Sequence, residues 1–189
     1  MVAEHWWKDP PSENFIEVLR SINTFRRNAS NATQVEHLDA ALKLLSEIVP
    51  TQFRVERSTT SRTLDETESI LDEILQHPSQ RLAVYGTLKP GEVNEGQLSG
   101  IEGDWLNGNV HGVITQPGDY LEFTWIVDAP AVPVKVFAAP TLKQHFHRLD
   151  EFEGPDYFRT LVPVSIYGRV HVCNIYEGRI PATLRDSTG

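Results

Sequence analysis

The chain has 189 residues, 40% of them hydrophobic, which suits one globular domain with an accessory region. Its 26 acidic and 17 basic residues leave a formal net charge of -9, and no basic cluster exceeds Arg26-Arg27, so a nucleic-acid surface is disfavoured. A single cysteine, Cys173, excludes an intramolecular disulfide and a multi-cysteine zinc site.

Met1 leads into Glu4, Lys8 and Asp9 without an apolar run of signal-peptide length, and no apolar stretch is long enough to span a bilayer. The expectation is a soluble, cytoplasmic protein with no membrane partner. Pro10-Pro11-Ser12 opens a first helix, with Phe15, Val18, Leu19, Ile22 and Phe25 at helical spacing. Asn28-Ala29-Ser30 and Asn31-Ala32-Thr33 match glycosylation sequons but read as a polar turn. Thr33 with Glu36 is a capping box for a second helix, which carries Val35, Leu38, Leu42, Leu45 and Ile48 and stops at Pro50. A polar stretch from Arg54 to Arg62 separates it from a third helix. That helix opens on a capping box, Thr63 with Glu66, carries Leu64, Leu71, Ile74 and Leu75, and closes at Pro78-Ser79. Residues 1–79 thus read as a helical extension whose amphipathic faces can meet each other, the rest of the chain or another subunit.

From residue 80 strands dominate. Arg81 to Tyr85 reads as a short buried strand, Asn107 to Ile114 as a turn and strand, and Pro117-Gly118-Asp119 as a turn. Leu121 to Val127 and Val132 to Phe137 are further strands. Pro140-Thr141 with Gln144 marks a third capping box, opening a helix that runs to Glu153. Leu161 to Ile166 and Arg169 to Tyr176 form a hairpin around Tyr167-Gly168, with Pro163 marking its first arm as an edge strand. The pattern predicts an α+β domain over residues 80–180 with a curled, mixed or antiparallel sheet, and a tail over 181–189.

Two stretches carry chemistry. Tyr85-Gly86-Thr87-Leu88-Lys89-Pro90-Gly91 is a strand that breaks into a glycine-bounded loop, whose consecutive amides can form an anion nest. It is not a nucleotide P-loop: Glu92-Val93 stands where Lys-Ser/Thr is required, and Glu92 repels phosphate. Taken alone, the loop is better accounted for as a plain strand-to-turn transition, since short glycine motifs often match by chance. The second stretch is Leu149-Asp150-Glu151-Phe152-Glu153-Gly154, where Gly154 and Pro155 stop the helix. The helix C-terminus disfavours an ionised Glu153, and Phe152, Tyr157 and Phe158 can dry it, so its pKa is expected to rise towards the range useful for proton transfer. Asp150 lies on a neighbouring face and can approach the same cavity. A solvated acidic helix end is the competing reading.

Other groups are weaker candidates. His145 and His147 are two apart on a helix and cannot chelate one metal as an i,i+4 pair does. Cys173 reads as a small packing residue of an alternating strand, and Trp105, Trp125 and the four aromatics from Phe152 to Tyr167 read as core.

Taken together, the two stretches resemble the γ-glutamylcyclotransferase-like family, in particular its AIG2-like branch, over about Arg81 to Tyr176. The resemblance rests on Tyr85-Gly86-Thr87-Leu88 after the first strand, on Leu149-Asp150-Glu151-Phe152-Glu153-Gly154 at the helix end, and on Tyr157-Phe158-Arg159 beyond it. Lys89-Pro90-Gly91-Glu92 and Asn94 continue the match. Leu121 to Ala131 and Val134 to Phe137 depart from the family's usual pattern. The resemblance implies a small β-barrel-like sheet with flanking helices. It implies a cofactor-free enzyme that releases 5-oxoproline and an amine from a γ-glutamyl substrate. It further implies Glu153 as general acid/base, with Tyr85, Gly86, Thr87, Leu88, Tyr157 and Arg159 around the substrate. The alternative is a non-catalytic ligand-binding module on the same fold, with the helical extension as its interaction or self-association surface.

Overall fold

The computed structural model describes residues 11–27, 41, 44, 45, 47 and 64–179. Most of the expected second helix, the polar stretch before the third, the capping residues Thr33 and Thr63, both sequons and the expected tail lie outside the described residues. Three α-helices are described along most of their length: α1 (Glu13–Arg27), α2 (Leu64–Ile74) and α3 (Phe146–Glu153). The strands are β1 (Arg81–Val84), β2 (Asp104–Thr115), β3 (Glu122–Trp125), β4 (Ala131–Ala138), β5 (Tyr157–Ile166) and β6 (Arg169–Gly178).

The sheet closes on itself. Its order is β3-β2-β4-β1-β6-β5, and β2 also bonds β5, so β2, β4, β1, β6 and β5 form a five-stranded barrel with β3 attached outside the ring. Among the described strands, only the β1–β6 pairing is parallel. Residues alternate across the barrel wall. Ala83, Val110, Val134, Val136, Val162, Val164, Cys173 and Ile175 share the core inside the ring. Leu82, Val84, Phe137 and Tyr176 face outward against Phe146 and Leu149 of α3.

Several expectations hold. Tyr167 and Gly168 have φ of 51° and 77°, the left-handed pair that a two-residue hairpin turn demands. Cys173 is fully buried, and burial pushes its thiol up to about 11. Ser12 caps α1 by accepting the Phe15 amide at 3.3 Å.

Others are corrected. Asn107-Gly108-Asn109 is not a turn but the middle of β2. A Cβ at Gly108 would stand 2.8 Å from Val164 Cγ1, so glycine is needed where β2 and β5 approach to close the ring. Pro163 does not mark an edge strand, because β5 is bonded to β6 along its length and to β2 from Val164 to Ile166. Pro163 falls just beyond the β2 pairing, where its missing N–H removes no bond to β2. Thr141 makes no side-chain cap. Its carbonyl instead accepts the Gln144 amide at 3.0 Å, and the segment starts as a 3₁₀ turn, Leu142–His145, before α3. Tyr167 is 81% exposed at the hairpin tip and Phe152 is 39% exposed, so neither is core.

The described helices of the extension pack on the barrel. Phe15, Val18, Leu19 and Ile22 of α1 share a core with Leu71, Leu75, Leu161 and Val172. Asn23, itself buried, donates Nδ2 to the Leu161 carbonyl at 2.8 Å and accepts the Leu161 amide at 2.7 Å. It thereby occupies the place of a neighbouring strand on a part of β5 that β2 does not reach. Arg27 pairs with the buried carboxylate of Glu177, which also accepts the Trp125 amide at 2.9 Å. Asn23→Ala leaves both Leu161 main-chain groups without partners and is expected to cost about 2 to 4 kcal/mol in denaturant unfolding. A loss under about 0.5 kcal/mol would mean that the Asn23 bonds do not hold the extension to the barrel.

Candidate functional site

One cleft of about 400 Å³ opens where β1 ends. Its lining includes Tyr85, Gly86, Thr87, Leu88, Glu153 and Tyr157, six of the seven residues expected from the sequence. Arg159 is the exception. Its Nε and Nη2 donate to the two Asp150 oxygens at 2.9 and 3.2 Å, Nη1 donates to Asn174 Oδ1 at 3.1 Å, and the guanidinium lies 4.1 Å from the Phe146 ring centroid. It therefore neither lines the cleft nor reaches Glu153 directly.

The loop after β1 is held by its own ends. Leu88 is buried in the core beneath α3. Asn94 donates its amide to the Thr87 carbonyl at 3.0 Å and its Nδ2 to Thr87 Oγ1 at 2.9 Å. Among the described residues, the amides of Gly86, Thr87 and Leu88 have no hydrogen-bond acceptor. Three successive main-chain donors at the rim of a cleft suit an anionic or carbonyl oxygen. Gly86 does not have positive φ, and a Cβ there would meet nothing within 4 Å. Glycine is thus not required here by backbone strain or by packing.

Glu153 ends α3, and Gly154 at φ 71° turns the chain towards β5. Glu153 is half-buried, and its carboxyl is pushed up to about 7 by burial first and by the Asp150 charge second. The direction is the one expected. Desolvation, one of the two expected causes, comes first, and the Asp150 charge is an added one. Asp150 does not share the cleft. It is held from outside it by Arg159 and by the Tyr176 hydroxyl, which donates to Oδ1 at 2.7 Å. Of the aromatics expected to dry Glu153, Phe152 and Tyr157 line the cleft, whereas Phe158 sits under the Arg27 guanidinium at 4.1 Å.

The far wall was missed in the sequence. Gln116, Asp119, Tyr120 and Leu121, from the β2–β3 connection, line the cleft together with Asn94 and Tyr176. Two tyrosines hold this wall by its main chain. Tyr157 donates its hydroxyl to the Leu121 carbonyl at 2.9 Å, and the Tyr85 oxygen lies 3.5 Å from the same carbonyl while accepting the Phe123 amide at 3.2 Å. Burial raises both phenol pKa values. The signal was the turn Pro117-Gly118-Asp119, whose apposition to Glu153 follows only from barrel closure.

Because Glu153 has a higher pKa folded than unfolded, its contribution to stability is complete below about pH 4.5 and is lost as pH rises towards 7. Glu153→Gln removes a desolvated charge and should be more stable than the parent at pH 8, by about 1 to 2 kcal/mol after allowing for partial exposure. In a carbon-detected NMR titration Asp150→Asn should lower the Glu153 midpoint without returning it to the ordinary value, since burial is the larger cause. A midpoint unmoved by Asp150→Asn would remove that charge from the account.

A family model described as gamma-glutamyl cyclotransferase, AIG2-like, matches residues 82–185, more than half of the chain. No curated protein matches the chain. Among solved structures, YkqA from Bacillus subtilis aligns at 22% identity and TM-score 0.46, over 53% of this chain and 36% of that one. An AIG2-like protein from Mus musculus aligns at 23% identity and TM-score 0.43, over 55% of this chain and 79% of its own. An uncharacterised protein from Pyrococcus horikoshii aligns at 24% identity and TM-score 0.38, over 53% and 79%. This chain thus spans about a third of the Bacillus protein's length. On the family match, which takes in both the β1 loop and the end of α3, the chain belongs to the gamma-glutamyl cyclotransferase, AIG2-like family.

Proposed function

We propose that the chain is a γ-glutamyl cyclotransferase, releasing 5-oxoproline and a free amine from a small γ-glutamyl compound. The observation that carries this reading is one cleft lined both by Glu153, titrating near neutrality, and by the unpaired amides of Gly86 to Leu88. In the proposed reaction the neutral α-amine of the substrate attacks its own γ-carbonyl carbon. The N–C bond of the five-membered ring forms and the carbonyl oxygen becomes an oxyanion. Glu153 accepts a proton from the attacking nitrogen and passes it to the departing nitrogen as the original amide bond breaks. Protons balance across the two steps, and Glu153 ends as it began. A carboxyl with pKa near 7 is suited to both halves of this exchange.

The Gly86, Thr87 and Leu88 amides would hold the glutamyl carboxylate or the developing oxyanion. Tyr85 and Tyr157 would shape the pocket around the glutamyl chain, since their hydroxyls are engaged at the Leu121 carbonyl. Arg159 would act only through Asp150. Ring closure within one bound molecule needs little more than correct folding of the substrate and a proton relay. The described apolar face of α1 is occupied by the chain's own barrel, which supports intramolecular packing for that helix.

A panel of γ-glutamyl amines and dipeptides incubated with full-length protein should yield 5-oxoproline by mass spectrometry. Glu153→Gln should lower kcat by about 10² to 10⁴ with the fold intact. Undiminished turnover in that variant would exclude Glu153 as the proton carrier. Gly86→Ala should leave the melting temperature unchanged, because an added methyl group meets no protein atom within 4 Å, and should raise KM, because Gly86 lines the cleft. A variant that instead loses stability would contradict the open space found at this position.

A further inference from the structure

A second cavity, of about 60 Å³, lies between α1, α2 and the barrel, away from the cleft. Its charged lining consists of Arg26, Lys143 and Arg159 against Glu68 and Asp72. The three cations differ in how they are neutralised. Arg159 is paired with Asp150. Lys143 is exposed to water. Arg26 is half-buried, yet among the described residues no carboxylate comes within ion-pair distance of it. Its hydrogen bond is to a neutral oxygen, from Nη1 to Asn174 Oδ1 at 3.2 Å. That same oxygen accepts Arg159 Nη1 at 3.1 Å.

The orientation of Asn174 is fixed, because its Nδ2 donates to the Pro78 carbonyl at 2.7 Å. One amide oxygen therefore serves two guanidinium groups, which repel each other across it. Burial first and the Arg159 charge second lower the Arg26 pKa to about 10. The nearby carboxylates are largely committed. Asp72 accepts the Ser79 amide and hydroxyl, each at 2.8 Å, and lies 3.4 Å from His77 Nδ1. Asp150 is held by Arg159 and Tyr176. Only Glu68 has no bond assigned among the described residues, and it acts on Arg26 at longer range. A partly desolvated cation beside a second cation is costly unless a counter-charge sits with them. The cavity has room for about two waters or one small ion.

We propose that this cavity binds one small inorganic monovalent anion, of the size of chloride, between Arg26 and Arg159 with Lys143 at its mouth. Such an ion would bridge α1 to the barrel and neutralise the shared positive charge at Asn174. It would tie the helical extension to the Arg159–Asp150 pair that stands behind Glu153.

Full-length protein is melted in sodium gluconate with increasing sodium chloride or bromide at constant ionic strength. The melting temperature should rise saturably with halide, by roughly 3 to 6 °C at ten times the dissociation constant. The rise should vanish in Arg26→Gln. Should that variant fail to fold, Lys143→Gln, which alters an exposed side chain, should weaken the halide response several-fold. Crystals in bromide should show an anomalous peak in contact with both guanidinium groups. Glu68→Gln should strengthen the response by removing a repelling charge. A melting temperature that follows ionic strength alone, or bromide crystals with only water in the cavity, would overturn the proposal. A halide response that emerges only in Glu68→Gln would overturn it too, by assigning the neutralising role to Glu68.

Discussion

The molecule depends on the bond between β2 and β5. Four of the five pairings in the ring could be made by an open, twisted sheet. The fifth turns that sheet into a barrel, and it needs Gly108 because a side chain there would run into Val164. Closure removes the free edges except where the strands outrun each other. The largest such gap is the first part of β5, and Asn23 fills it at Leu161 with the donor–acceptor pair that a strand would have offered. The helical extension is thus joined to the barrel by main-chain chemistry as well as by apolar contact. Closure also sets the cleft, since it brings the end of β1, the end of α3 and the β2–β3 connection around one opening.

Behind that opening stands the Asp150 carboxylate. Arg159 of β5 and Tyr176 of β6 grip it from the barrel, and α3 carries it three residues before Glu153. This arrangement pins the C-terminal turn of α3 to the wall and sets a negative charge near Glu153 without giving it a direct partner. Glu153 is consequently raised twice, by what is absent around it and by what stands behind it. The two carboxylates differ in their surroundings: Asp150 is saturated with donors, whereas Glu153 is desolvated and has the Asp150 charge behind it.

How much of this was legible depended on whether the cause was local. The Tyr167-Gly168 turn was readable because positive φ at two consecutive residues is a local demand. The alternation of β4 and β6 was readable because the wall of a barrel has two faces. Asn107-Gly108-Asn109 misled because asparagine and glycine are common turn formers, whereas Gly108 answers to a strand some 56 residues away. Thr141 and Gln144 misled because a capping box presumes an α-helical first turn, and this one is 3₁₀. In the site, the loop and Glu153 were readable from local backbone signals. The role of Arg159 was not, because its partners Asp150 and Asn174 are brought to it by α3 and β6.

The β2–β3 connection shows why a site can keep its shape where its sequence departs from the family's usual pattern. Its position over the cleft is set by the Leu121 carbonyl and the Phe123 amide, which the hydroxyls of Tyr157 and Tyr85 engage. Neither contact depends on which side chain residue 121 or 123 carries. The anchor belongs to the two tyrosines, and both flank the motifs that are most recognisable in the sequence. The residues between the strands are freed from holding the wall: Asp119 lines the cleft, and Tyr120 does so while remaining 73% exposed. A wall hung by its backbone can therefore change its chemistry towards a bound molecule while the distance between that wall and Glu153 stays fixed.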